Sequence, residues 1–166
     1  MTGEPVIIER PAQPYVAIRT LSTMQTLGLD VPPLNGEVMG WLGQRSVAPA
    51  GPPFWKYNVI DMERQLEIEA GSPIAAALPG DDRVLAGVLP AGRYASVRHV
   101  GHPDTLVGAV AALLDWAKAQ DLRWDAEEAP DGERWGCRLE IYHTDPAVEP
   151  DMTKWETELC FRLSDA

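Results

Sequence analysis

The sequence predicts an α+β fold made of two β-α-β-β repeats, and three observations lead there. The first is an internal match: Pro11-Ala12-Gln13-Pro14-Tyr15-Val16-Ala17-Ile18-Arg19 lies over Pro90-Ala91-Gly92-Arg93-Tyr94-Ala95-Ser96-Val97-Arg98, an offset of 79 residues from position 11 to position 90. The second is order. Each half continues into one helix-like segment and then two strand-like runs. The third is coverage. One helix per half cannot cover both faces of its sheet, so the economical arrangement is a joined antiparallel sheet with both helices on one face. The opposite face is then expected to form a ligand cleft between the repeats.

The elements follow in chain order. Repeat one runs over about residues 6–78 and repeat two over about 83–164 of a single domain, 1–166. Val6-Ile7-Ile8 and Val84-Leu85-Ala86 are strand-like runs ahead of the matched segments. The first helix is predicted from about Asn35 to Gln44, with Val38, Trp41 and Leu42 as its apolar face and Gly40 and Gly43 weakening it. Strands Phe54–Val59 and Gln65–Ala70 come next. In the second half, Asp104 or Thr105 caps a helix running to about Gln120, with Leu106, Val110, Leu113 and Ala117 in one stripe. The acidic segment Asp121–Arg134 reads as an exposed loop, and strands Cys137–His143 and Thr157–Leu163 close the repeat.

Composition limits the function classes. The 166 residues carry 14 Lys and Arg against 25 Asp and Glu, a net charge of −11, which argues against direct DNA binding. Cys137 and Cys160 make neither a disulfide framework nor a four-cysteine zinc site, and by strand parity they are expected on opposite faces. The N-terminus has no basic and apolar leader, and no apolar run is long enough to span a membrane, so a cytoplasmic protein is expected. His99-x-x-His102 lies in a turn with Gly101 and Pro103 and lacks the helical spacing of a zinc motif. No metal and no cofactor are expected. Six Trp against two Phe is the unusual count, because Trp suits half-buried positions and ligand walls.

Strand alternation names the candidate site. Leu139 and Ile141 point one way and Arg138, Glu140 and Tyr142 the other. With Leu139, Ile141, Leu159, Phe161 and Leu163 turned to the helices, the groove receives Trp55, Tyr57, Glu140 and Tyr142, with Glu67 and Glu158 as additions and Tyr15 and Tyr94 as secondary candidates. The other face of the Trp55 strand would hold Lys56 and Asn58, a poor core pattern that a bulge or an edge position would explain. An aromatic box around a carboxylate suits a flat, apolar cation. The competing reading pairs Glu140 with Arg138 or another base on a solvated sheet face.

These segments resemble a known family. Gly51-Pro52-Pro53-Phe54-Trp55-Lys56-Tyr57, Leu66-Glu67-Ile68-Glu69-Ala70-Gly71-Ser72-Pro73-Ile74, Leu89-Pro90-Ala91-Gly92-Arg93-Tyr94-Ala95, His99-Val100-Gly101, Leu139-Glu140-Ile141-Tyr142, Asp145-Pro146 and Thr157-Glu158-Leu159 together resemble the GyrI-like small-molecule-binding domain, also found as the effector-binding half of multidrug-sensing transcription activators. The resemblance covers nearly the whole chain. It implies two SH2-like repeats about a pseudo-twofold axis and an aromatic cleft with a central acid. Glu140 matches that acid, Glu158 a second acidic position, and Tyr57 and Tyr142 the aromatic walls. Only five residues precede Val6, which leaves no room for the helix-turn-helix of the activators, so a stand-alone member is expected.

Two functions follow. One is binding, without reaction, of a small hydrophobic or cationic aromatic molecule. The other, whose substrate class the resemblance implies, is hydrolysis of activated cyclopropane-type toxins, with Glu140 activating water and Tyr142 or Tyr57 stabilising the developing oxyanion. Inhibition of gyrase or another protein partner is a third, less favoured reading, which the resemblance alone implies.

Overall fold

Runs of alternating apolar and polar residues produce ten antiparallel strands in the computed structural model, which describes residues 1–165. In chain order these are β1 (Val6–Arg10), β2 (Gln13–Ser22), β3 (Phe54–Ile60), β4 (Leu66–Pro73), β5 (Leu85–Leu89), β6 (Gly92–Val100), β7 (Ala126–Ala129), β8 (Gly132–Trp135), β9 (Arg138–Tyr142) and β10 (Glu156–Arg162). The helices are α1 (Leu27–Asp30), α2 (Pro32–Gln44) and α3 (Leu106–Ala119). The fold is α+β: a curled sheet ordered β1-β6-β10-β9-β3-β4-β2-β5 with helices packed on one face.

The two halves exchange their first strands. β1 pairs with β6 in full register, from Val6 opposite Ser96 to Arg10 opposite Gly92. β5 pairs with β2, from Gln13 opposite Leu89 to Ala17 opposite Leu85. The halves also meet at the centre, where Phe54, Trp55 and Lys56 of β3 lie opposite Ile141, Glu140 and Leu139 of β9.

The helical face is built by matching stripes. Val16 and Ile18 of β2 pack on Val38, Trp41 and Leu42 of α2. Ala95, Val97, Leu159 and Phe161 of β6 and β10 pack on Leu106, Ala109 and Leu113 of α3. Pro32 starts α2 where a missing N–H costs nothing. The α3 entrance differs from the sequence expectation. A short 3₁₀ turn, Pro103–Thr105, precedes it, and His102 Nδ1 rather than the Asp104 carboxylate takes the free N–H, that of Asp104, at 3.0 Å.

The opposite face is not open. The sheet curls until Ile8 of β1 and Leu85 and Leu89 of β5, from its two ends, pack with central Phe54, Leu139 and Ile141. Tyr15, Tyr94, Cys137 and Cys160 complete this second core. Gly71 leaves space for the Phe54 ring, which lies 2.8 Å from where a Cβ would stand. Full burial of a side chain such as Leu139 contributes about 1.5–3 kcal/mol, so both faces are strongly apolar. The cleft expected on this face is therefore displaced to the helical side.

Two smaller differences have clear causes. The stretch expected as an exposed loop holds the hairpin β7–β8, which turns at Gly132 (φ 132°) and anchors Trp124 and Trp135 on Phe161 with ring centroids 5.7 Å away. Cys137 and Cys160 share the back core rather than opposite faces, because Cys160 registers with Leu139. Both thiols are free and buried. Among the described residues no helix is long and apolar enough to cross a membrane.

Candidate functional site

The central pairing of β3 with β9 places Trp55 opposite Glu140, and β9 with β10 places Glu140 opposite Leu159. Opposed residues share a face, so Glu140 lies on the side that carries α3. Tyr57 and Tyr142 follow at two-residue spacing and join it. These four residues meet in a cleft of about 1370 Å³ between α2 and α3. Its walls include Pro32, Gly36 and Met39 of α2 and Leu106, Val107 and Val110 of α3, with Met24, Met62, Met152 and Trp155 around the mouth.

Glu140 is 9% exposed. The Tyr142 hydroxyl donates to its Oε2 at 2.8 Å. Burial pushes the Glu140 carboxyl above the usual carboxylate range, and the Tyr142 and Tyr57 hydroxyls with the Arg138 charge only partly offset this. Burial also raises both tyrosines, with the nearby carboxylate adding to the effect, so they remain neutral donors. Trp55 stands edge-to-face with Tyr142, centroids 5.3 Å apart at 73°. Its indole Nε1 donates to Asn35 Oδ1 on α2 at 2.7 Å, which fixes the ring as a wall.

The structure adds Arg138 to this set. Two residues before Glu140 on the same face, it lines the cleft. Its guanidinium carbon lies 4.4 Å from the Phe161 centroid, 4.7 Å from Trp135 and 5.9 Å from Tyr57. Sequence parity already put Arg138 beside Glu140; taking it for a solvated partner concealed its place in the site. Asn35 carried no sequence signal beyond its position near the start of a helix.

Glu67 and Glu158 are corrections, for they point to the other face. Glu67 registers with Leu21 and lies 3.9 Å from the exposed Arg19 guanidinium. Glu158 lines a separate cavity of about 210 Å³ with Arg10, Gln13 and His143. Its Oε2 accepts from Ser96 Oγ at 2.8 Å, and its Oε1 lies 2.9 Å from His143 Nε2. Burial pushes the Glu158 carboxyl up, but these bonds and Arg98 outweigh it and hold it below the usual range. Tyr15 and Tyr94 are buried in the back core as well, donating to Glu69 Oε1 at 2.5 Å and to the Pro90 carbonyl at 2.6 Å. The apolar residues of β9 and those of β10 serve opposite cores, so equating their faces sent the second acid to the wrong side. Among the described residues no cluster of His, Cys, Asp or Glu is arranged to hold a metal. The two histidines of the His99-x-x-His102 segment are used locally: His99 bonds Thr2 and Thr105, and His102 caps the turn.

Residues 3–164 match the family described as the GyrI-like small molecule binding domain. No curated protein matches the sequence. Among solved structures, EcmrR in its complex with DNA aligns at TM-score 0.75 and 18% identity, over 98% of this chain but 58% of that one. The EcmrR C-terminal domain alone aligns at TM-score 0.70 and 17% identity, over 98% of each chain. SAV2435 bound to tetraphenylphosphonium aligns at 0.59 and 8% identity, over 98% of this chain and 95% of that one. A structure described as a hydrolase from Listeria innocua aligns at 0.59 and 16% identity, over 97% and 92%. At these identities the likeness is one of fold.

Proposed function

The chain belongs to the GyrI-like small molecule binding domain family, and we propose that its cleft binds lipophilic, aromatic, cationic molecules. The observation that carries this reading is Glu140: a buried carboxylate at the floor of a large apolar cleft, held by tyrosine hydroxyls and with no base in ion-pair contact among the described residues. A buried charge without a partner is costly, and a cationic ligand offsets that cost. The faces of Trp55, Tyr57 and Tyr142 add about 0.5–2 kcal/mol each where they meet a cation. The tetraphenylphosphonium carried by SAV2435, a relative in fold, is a ligand of this chemistry. The partner is the small molecule; the net charge of −11 disfavours direct contact with DNA.

Calorimetry with tetraphenylphosphonium and its neutral isostere tetraphenylmethane, on the parent protein and on Glu140→Gln, tests the reading. Selective binding of the cation, weakened by about 1–3 kcal/mol in the variant, supports it. Equal binding of both compounds, unaffected by the substitution, overturns it.

A second reading rests on the raised Glu140 carboxyl beside two hydroxyl donors, a pairing suited to general-base hydrolysis. Glu140 would take a proton from water as the water oxygen bonds to a cyclopropane carbon. The ring C–C bond breaks, and its electron pair passes to a conjugated carbonyl oxygen, where Tyr57 or Tyr142 donates a hydrogen bond. Trp55 would position the aromatic substrate. Steady turnover of an activated spirocyclopropyl dienone, abolished by Glu140→Gln, would favour this reading over simple binding.

A further inference from the structure

Arg138 is a half-buried cation in the cleft wall. Among the described residues its side chain makes no hydrogen bond and no ion pair, and its Nε is fully shielded from solvent without a partner. Three aromatic rings surround the guanidinium, and these offer π faces but no acceptor lone pairs in its plane. Neither nearby carboxylate forms an ion pair with it among the described residues: Glu140 accepts from Tyr142, and Glu133 accepts from the Trp135 indole at 2.6 Å. An arginine stays charged and carries five N–H donors in a planar fork, so a shielded Nε–H without an acceptor is an anomaly. The side chain lines the same cleft as Glu140.

We propose that Arg138 is an acceptor-reading subsite of the cleft, so that the preferred ligand is amphoteric: an aromatic cation that also carries a carboxylate or comparable acceptor oxygen. The spacing is set by the strand. Arg138 and Glu140 are two residues apart on one face, which separates the two charges of the ligand by roughly 7 Å. The acceptor takes the in-plane N–H groups, while the cationic centre lies against Glu140 and the rings of Trp55, Tyr57 and Tyr142. A simple cation leaves Arg138 unpaired and meets its repulsion. This inference rests on the cation-binding reading of the cleft for one of its two halves.

The test uses three probes and three proteins. The probes are (4-carboxybutyl)triphenylphosphonium, pentyltriphenylphosphonium of the same length without the acceptor, and 5-(biphenyl-4-yl)pentanoate, which has the acceptor without the cation. The proteins are the parent, Arg138→Met and Arg138→Lys. The parent is expected to prefer the carboxybutyl over the pentyl compound by about tenfold or more. In Arg138→Met the preference disappears and the pentyl compound binds as tightly as before or tighter, because a like charge has gone. That opposite movement is not the signature of a damaged fold. Arg138→Lys, which keeps the charge and loses the fork, recovers part of the preference. Equal binding of the two phosphonium compounds by the parent, or a preference that survives in Arg138→Met, overturns the proposal. Should neither phosphonium bind while the biphenyl acid binds in an Arg138-dependent manner, the cation reading fails and the Arg138 subsite stands. No Arg138-dependent binding of any probe sinks the subsite.

Discussion

One sheet buries acids on both of its faces, and the two faces treat them in opposite ways. On the back face, Glu69 accepts hydrogen bonds from Tyr15 and Asn58 and lies 3.6 Å from Lys56 Nζ. Glu158, on the same face, is held by Ser96, His143 and Arg98. On the helical face, among the described residues, Glu140 has tyrosine hydroxyls and aromatic walls but no ion pair, and the Nε of Arg138 beside it has no acceptor. Back-face acids are saturated by the protein itself. The helical-face pair keeps unused capacity in a cleft wide enough for a ligand. Burial alone does not mark a site; burial with unmet bonding capacity does.

The comparison breaks most sharply at Glu69. Glu69→Ala should leave Lys56, at 11% side-chain exposure, without its carboxylate and cost about 3–5 kcal/mol in denaturant unfolding. Glu140→Gln should change the stability of the ligand-free protein by less than about 1 kcal/mol, within the range of mild substitutions, while ligand affinity falls. A large loss of stability at Glu140 with none at Glu69 would reverse the assignment of the two faces. Next in size, Tyr142→Phe removes the hydroxyl that donates to Glu140 and part of the support for its charge. Cation affinity should weaken by about 1 kcal/mol in calorimetry, with folding intact.

The pH dependence sharpens the contrast by its sign. Glu140 is raised in the folded state. As pH rises through the window between the ordinary carboxylate range and that raised value, the unfolded chain releases a proton that the folded chain keeps, so stability falls. Glu158 is depressed. Its contribution is present above the ordinary range and is lost as pH falls through the lower folded value. Unfolding curves across acidic to neutral pH should therefore show the decline with rising pH removed in Glu140→Gln and the acid-side loss removed in Glu158→Gln. The same slope in both variants would mean that the two carboxylates share one environment.

The repeat, the helices α2 and α3 and four of the cleft residues were legible because each depends on local pattern, whereas the single turn α1 was not foreseen. Strand parity groups Arg138, Glu140 and Tyr142 whatever the neighbours do, and the Trp55 strand carries the bulge after Tyr57 that lets Asn58 reach Glu69. Parity cannot say which face of one strand meets which face of the next; inter-strand register does. Leu139 and Leu159 are both apolar, yet Leu139 faces the back core and Leu159 faces α3. The sequence alone treated them as one core, which misplaced Glu67, Glu158 and the side of the cleft. The curl that fills the back face comes from β1 and β5 at the two ends of the sheet, contacts far apart along the chain and invisible to a window of ten residues.

That exchange of first strands also bears on how the chain folds as it is made. When residues up to about Pro73 have emerged, β1 has no neighbour, the outer edge of β2 is open and β3 lacks β9. The first half cannot close until β5 and β6 follow, and the seam under the cleft waits for Tyr142. Pairings of such long sequence separation slow folding and leave apolar strand edges exposed to other chains in the meantime. A nascent first half is thus an aggregation-prone fragment, and the ligand cleft is among the last features to form.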